Sequence, residues 1–121
     1  MDKVKCVVVG AGPAGSACAL SLARKGIETI LLERGVHAGE KNVASFVLFT
    51  PVLRKLIPDF EKEAPLERLV SDHAFAYLRE NDMLQFRFRF GKHIDEGMAY
   101  TAYRSKFDAW FAEKAKEAGA E

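Results

Sequence analysis

Residues 7–15 read Val-Val-Val-Gly-Ala-Gly-Pro-Ala-Gly, and they decide how this chain begins to fold. An apolar run leads into glycines with G-x-G-x-x-G spacing, and a segment rich in small residues follows. Gly10 permits a tight turn, Gly12 lets a phosphate approach the backbone, and Gly15 lets a helix pack close to a sheet. The stretch predicts a strand, a turn, and a helix whose first N–H groups face a pyrophosphate.

A second apolar run, at residues 28–33, ends in the acid Glu33. With a strand at 3–9 and a helix at 13–25, it predicts a βαβ unit of two parallel strands. The spacing from Gly15 to Glu33 is close to the roughly 20 residues after which such sites place a carboxylate on the adenosine ribose. Strand, glycines, helix and acid together predict a dinucleotide site.

The composition limits the class of protein. The chain has 121 residues and a net charge of +1, which fits at most one domain and gives no electrostatic reason to expect nucleic acid. It shows no signal peptide and no apolar run long enough to span a membrane. Its two cysteines, Cys6 and Cys18, lack the C-x-x-C spacing of zinc or iron–sulfur sites.

The middle of the chain changes pattern. Residues 34–50 read as a long loop with a solvated His37, followed by a short helix at 52–57 and a polar linker at 61–65. From about residue 70 to 90 the period is two, which predicts an antiparallel hairpin with one buried face. That face would carry Phe86, Phe88 and Phe90. A single-stranded nucleic-acid platform is the alternative for this pattern, and the near-neutral charge argues against it.

A strand at 98–103 and a helix ending at Gly119 complete the pattern. Ser105 is the expected N-cap, with Asp108 in the third helical position of a capping box. An aromatic stripe is expected to belong to the core: Phe107, Trp110 and Phe111. A doubly wound sheet would continue with another parallel strand, and without it we expect this stripe to be left bare.

Three stretches resemble the FixC group of the electron-transfer-flavoprotein:quinone oxidoreductase family, which is related to the geranylgeranyl reductases and aromatic hydroxylases. They are residues 8–17 with Glu33-Arg34-Gly35, residues 38–43 with 56–58 and 64–68, and residues 103–110 with 117–120. The resemblance covers essentially the whole chain. Family members are several times longer. The fold it implies is α/β: a Rossmann-like FAD-binding βαβ unit with an antiparallel β insertion, forming the incomplete N-terminal portion of a larger FAD/NAD(P)-binding fold.

The resemblance implies FAD as the dinucleotide. It places the pyrophosphate at residues 10–15, the adenosine ribose at Glu33, the flavin near residues 41–45, and Arg104 on the phosphate or ribityl region. The implied cofactor-binding residues are Gly10, Gly12, Pro13, Ala14, Gly15, Glu33, Arg34, Lys41, Asn42, Val43, Ala44, Ser45 and Arg104. In this chain Ala44-Ser45-Phe46 stands where the family usually has a small residue and two glycines, so Phe46 is expected to point away from the flavin.

The implied function is electron transfer from an electron-transfer flavoprotein, through FAD, to a quinone or a ferredoxin-like protein. No residue is nominated as an acid–base catalyst, and no metal site is expected. Two alternatives remain: a prenyl-chain reductase of the geranylgeranyl type, and a non-catalytic nucleotide-binding fragment. The chain is expected to be one partial domain with segments 1–50, 51–100 and 101–121. Its expected location is the cytoplasm, with peripheral contact at the inner face of the cell membrane.

Overall fold

The computed structural model describes residues 3–89 and 98–121 of the chain. Two parallel strands, β1 (Cys6–Val9) and β2 (Thr29–Leu32), are joined by the helix α1 (Pro13–Ala23). The predicted βαβ unit is therefore confirmed, with each element slightly shorter than expected. Gly26 has a φ of +70° just past the end of α1, a backbone conformation that favours glycine.

The second sheet has three antiparallel strands in the order β3, β7, β4: Ser45–Phe49, Ala99–Tyr103 and Leu66–Leu69. The prediction of a loop over the whole of 34–50 was wrong at β3, and β4 was not predicted. Both strands pair with β7, which lies far away in sequence. The β4 register also shifts between Leu66 and Arg68, so this strand lacks a clean period of two.

The helix α2 (Thr50–Leu56) and a 3-10 turn at Phe60–Lys62 connect β3 to β4. A hairpin then follows from β5 (Asp72–Leu78) and β6 (Met83–Arg89), as predicted. Phe86 and Phe88 share one face, and Phe90 lies outside the described residues. That face was expected to be buried, and this was wrong: Phe86 is 65% exposed.

The last helix, α3 (Arg104–Glu117), packs against α1. The principal core lies between these helices and the second sheet, and its most buried members include Leu20, Phe60, Phe107 and Phe111. The aromatic stripe of α3 is thus core, whereas the expectation that it would be bare was wrong, because α1 and β3 cover it. Phe107 meets the edge of Phe46 at 5.3 Å between ring centroids.

The end of α3 returns to the parallel sheet. Gly119 has a φ of +104° and turns the chain towards β2. The N–H of Glu121 donates to the carbonyl of Thr29 at 3.0 Å, and the N–H of Leu31 donates to the carbonyl of Glu121 at 2.6 Å. These two bonds straddle Ile30 in the manner of a parallel ladder. The chain therefore occupies a position beside β2, as expected for a doubly wound sheet.

Candidate functional site

The glycine turn joins β1 to α1 and packs the helix tightly against the strand at Gly15. Gly10 has a φ of +98°, and its N–H donates to the carbonyl of Leu32 at 2.7 Å. A Cβ added to Gly15 would lie 1.8 Å from the carbonyl oxygen of Gly10. No side chain fits at that distance, so Gly15 is required for the close approach of helix to strand, as predicted.

Gly12 plays a different part. It is the N-cap of α1, with an ordinary φ of −78°, and Pro13 and Ala14 form the start of the helix. Among the described residues, apart from its chain neighbours, a Cβ added here would have one heavy atom within 4 Å, Nη2 of Arg104 at 3.8 Å. The first N–H groups of a helix lack intrahelical acceptors, so this open space beside a guanidinium suits an anion.

Glu33 is connected directly to the glycine turn. Its carboxylate accepts the N–H of Gly35 at 2.7 Å and the N–H of Ala11 at 3.0 Å. These bonds, first the one from Gly35 and then the one from Ala11, lower the pKa of Glu33, and the charge of Lys41 adds to the effect. Glu33 is therefore held as an exposed carboxylate at the end of β2, and an ionised carboxylate has further lone pairs for ligand hydroxyls.

A groove of about 780 Å³ opens beside this carboxylate. Its floor comes from Ala11, Leu31 and Glu33, and its far wall is one face of α3 followed by the turn to residue 121. Small side chains in the lining of the groove leave room for a flat ring: Ala38, Ala109, Ala112 and Ala120. The groove can accept an adenosine whose ribose faces Glu33.

Several groove residues were not predicted from the sequence. They include His37, Ala38, Ala109, Ala112 and Lys116. His37 is exposed, as expected, and its Nδ1 lies 3.1 Å from the carbonyl oxygen of Ala38. Residues 109, 112 and 116 recur at helical spacing opposite the aromatic stripe, and this second stripe of mainly small residues was the available signal.

Arg104 reaches the turn from the other side, at the first position of α3. Its Nε and Nη2 donate to the two carboxylate oxygens of Asp108, both at 2.9 Å. This hydrogen-bonded pair raises the pKa of Arg104. Asp108 also accepts the side-chain amide of Asn42 at 2.7 Å. The prediction of Asp108 as a capping-box acid was therefore wrong, because a charged fork and an amide bind its carboxylate instead. Tyr103 is the N-cap, without a side-chain capping bond.

The segment predicted to approach the flavin lies against the start of α3. A Cβ added to Gly39 would lie 2.7 Å from the carbonyl oxygen of Ser105, and the N–H of Arg104 donates to the carbonyl of Ala44 at 3.1 Å. Ser45 begins β3 opposite Tyr103. The backbone of this segment is thus fixed by α3 and β7.

The remaining predicted residues differ in placement. Arg34, Lys41 and Val43 are exposed, and Val43 is fully so. Phe46 packs on Phe107, and the guanidinium of Arg104 lies 5.7 Å from its ring centroid. The structure therefore brings together the glycine turn, Glu33, Arg104 and Asn42. It leaves Arg34, Lys41 and Val43 at the surface.

Residues 3–89 and 98–121 show neither a candidate metal cluster nor a candidate membrane span. No group of three or more His, Cys, Asp or Glu side chains there could hold a metal ion. None of the helices in this part of the chain is both long and apolar enough to cross a membrane.

Sequence comparison gives a family for this arrangement. Residues 5–121 match the family described as FAD dependent oxidoreductase. The chain is 42% identical to Protein FixC of Azorhizobium caulinodans over 120 residues, and 40% identical to Protein FixC of Salmonella typhi over 121 residues. These alignments cover 98% and 99% of the chain but 28% of each relative. The chain therefore spans a little over a quarter of these curated relatives.

Structural comparison agrees on the fold. A geranylgeranyl bacteriochlorophyll reductase-like protein from Thermoplasma acidophilum matches 97% of the chain with a TM-score of 0.72 and 24% identity. The myxobacterial chondrochloren halogenase, an FAD-dependent halogenase, matches 97% with a TM-score of 0.75 and 24% identity. The chain covers 28% and 27% of these two proteins.

FAD suits the residues that are present. The open face of Gly12 beside Arg104 can take a diphosphate, and the groove beside Glu33 can take an adenosine. The family match spans β1, Glu33 and α3, and so includes every part of this site. The chain belongs to the FAD-dependent oxidoreductase family, and its cofactor is FAD.

Proposed function

We propose that this chain forms the FAD-binding part of a flavoprotein that passes electrons from an electron-transfer flavoprotein, through FAD, to a quinone or a ferredoxin-like acceptor. The observation that carries the proposal is the convergence of Gly12, Glu33 and Arg104 around one glycine turn. The identity to proteins named FixC, at about 40% across nearly the whole chain, supports the choice within the family.

The residues divide the work of binding. The N–H groups at the start of α1 and the guanidinium of Arg104 hold the pyrophosphate, which carries negative charge at both phosphates. Glu33 accepts the ribose hydroxyls, and the groove beside it excludes water from the adenine. The segment 41–45 lies towards the flavin. The bound isoalloxazine supplies the redox chemistry, and the protein orients it.

The same proposal gives the protein a location. Electron-transfer flavoproteins and ferredoxin-like proteins would meet it in the cytoplasm. A quinone is held in the lipid bilayer, so transfer to a quinone would require peripheral contact with the inner face of the cell membrane. The domain proposal is one partial FAD-binding domain, with residues 51–100 inserted between the βαβ segment at 1–50 and the return helix at 101–121.

Anaerobic spectroscopy of the intact protein tests this function. We expect a yellow protein with one FAD per chain, whose flavin band bleaches when reduced electron-transfer flavoprotein is added and returns with a quinone or oxidised ferredoxin. A flavin that does not exchange electrons with these partners but reduces a geranylgeranyl chain would favour the prenyl-reductase alternative. A colourless protein that takes up no FAD would favour the remaining alternative, a non-catalytic nucleotide-binding fragment.

A further inference from the structure

We propose that Asp108 is a positioning residue that sets the geometry of the FAD pyrophosphate site through Arg104 and that of the flavin-side segment 41–45 through Asn42. This role rests on the proposed FAD site. Asp108 is fully buried, and neither its oxygens nor its chain position faces the groove. It acts on the cofactor only through the side chains that it holds.

The first step concerns the guanidinium. Arg104 uses Nε and one N–H of Nη2 on the two oxygens of Asp108, which fixes the plane of the fork. The Phe46 ring lies against the guanidinium at 5.7 Å, which limits rotation about the remaining torsions. Since a guanidinium has five N–H groups, the other three stay available, and Nη2 lies beside the open face of Gly12.

The second step concerns the segment near the flavin. Asn42 donates to the same Asp108 oxygen, Oδ2, that accepts from Nη2 of Arg104. One carboxylate therefore joins a residue of the phosphate site to a residue of the segment 41–45. A change at Asp108 releases both at once, and a change at Asn42 releases only the second.

The third step separates this role from capping. A capping-box acid would bind the N-cap N–H and stabilise α3 alone. Asp108 instead binds two side chains from different parts of the site. Replacing it with asparagine keeps the size but presents an NH₂ group to donors, so the fork loses at least one of its bonds. Arg104 then samples other orientations, and its charge is no longer aimed at Gly12.

The experiment measures the affinity of the intact protein for FAD, ADP and adenosine by calorimetry. Asp108→Asn should weaken FAD and ADP by about 10- to 100-fold, the scale of a misplaced binding group, and leave adenosine unchanged. The control is Asp59→Asn, the same change at an exposed carboxylate paired with Lys62, which should leave all three affinities unchanged. In a protein that already carries Arg104→Ala, adding Asp108→Asn should weaken ADP affinity by less than about twofold. The two residues act as one unit, so losing the second adds little once the first is gone.

A second variant covers the case in which Asp108→Asn does not fold, as judged by Trp110 fluorescence and thermal unfolding. Asn42→Ala keeps the Arg104 fork and should weaken FAD but not ADP. If Asp108→Asn weakened ADP and adenosine equally, Asp108 would have only a structural role. The same would follow if its effect on ADP affinity added fully to that of Arg104→Ala. If Asp108→Asn does not fold, unchanged FAD affinity in Asn42→Ala overturns the proposal. Wild-type protein that bound neither FAD nor ADP would overturn the proposed FAD site, and the role of Asp108 with it.

Discussion

Phe107 and Phe86 belong to two regions that differ in how far their aromatic side chains are exposed to solvent. Phe107, in α3, is 1% exposed and touches Phe46, Trp110 and Phe111, whereas Phe86, in the hairpin, is 65% exposed. The βαβ half, formed by β1, α1, β2 and α3, is closed by helix–helix packing. The hairpin, residues 72–89, presents an apolar face to solvent: Phe75, Tyr77, Leu84, Phe86 and Phe88.

The difference shows where the chain is well packed. The helices of the βαβ half share one core with Leu53, Phe60 and the second sheet. A two-stranded hairpin is marginal by itself, and this one keeps its aromatic rings together mainly by stacking, such as His73 on Phe75 at 4.8 Å. Substitutions should therefore be costly in the first region and mild in the second.

The largest expected effect is that of Gly15→Ala. The new methyl would need the space of the Gly10 carbonyl oxygen, 1.8 Å away, and a backbone atom cannot rotate aside as the end of a flexible side chain can. We expect destabilisation above the roughly 1–3 kcal/mol typical of overpacking, measured by chemical unfolding followed by circular dichroism. A Gly15→Ala protein as stable as wild type would contradict the rigid packing described for the βαβ half.

The next effect compares the two regions directly. Phe107→Ala should lower the free energy of unfolding by about 3–5 kcal/mol, because it leaves a cavity in the core. Phe86→Ala should cost below about 1 kcal/mol, the value of one cross-strand pair. Both variants are measured by the same urea titration. Similar losses at the two positions would mean that the hairpin face is covered in solution.

A third effect concerns binding without folding. Gly12→Ala has an unstrained φ and a methyl 3.8 Å from Nη2 of Arg104, so its stability should match wild type. The methyl would occupy the face proposed for the pyrophosphate, and we expect FAD affinity to fall about 100-fold. Calorimetry gives the affinity and thermal unfolding gives the control. Unchanged FAD affinity in Gly12→Ala would mean that the phosphates do not bind beside Gly12.

The smallest effect is a pH dependence at Glu33. Its pKa in the folded chain lies below the usual 4.5, because Gly35 and Ala11 donate to the ionised form. Ionised Glu33 therefore stabilises the fold above pH 4.5, and this contribution is lost as the pH falls through the lowered pKa. The thermal midpoints of wild type and Glu33→Gln should differ at neutral pH and converge in acid. If the difference between the two thermal midpoints grew as the pH fell, ionised Glu33 would not be the stabilising form.

The ligand side of Glu33 gives one more measurement. Glu33→Ala should weaken FAD binding by about tenfold at neutral pH, because it removes a charged acceptor from the proposed ribose site. Glu33→Gln keeps the size of the side chain and one acceptor oxygen, and it should retain part of the affinity. Equal FAD binding in wild type and Glu33→Ala would exclude Glu33 from the site.

Local rules predicted the βαβ half well. The glycines, the parallel strands and the position of Glu33 follow from steric requirements within about 30 residues of chain. The hairpin followed equally well from its period of two. The burial of its apolar face was wrong, because alternation shows that two faces differ and does not show what covers one of them.

Long-range partners explain the rest. β3 and β4 were missed because their pairing is supplied by β7, and the irregular register at Leu66 hides the period of β4. Asp108 fits a local capping motif, but in the folded chain its carboxylate accepts from the side chains of Arg104 and Asn42 instead. The groove face of α3 was missed because small residues carry a weak signal beside an aromatic stripe.

The central place of β7 has a consequence for synthesis on the ribosome. β7 is the last of the three strands of its sheet to emerge, yet it is the one that both others require. Until residue 103 has left the exit tunnel, β3 and β4 have no strand to pair with, and their unpaired edges are open to other chains. Because α3 follows β7 without a break, the sheet and the Arg104–Asp108 fork are completed in one late step. Codons that slow translation between residues 70 and 98 should therefore prolong exposure of these edges and raise aggregation.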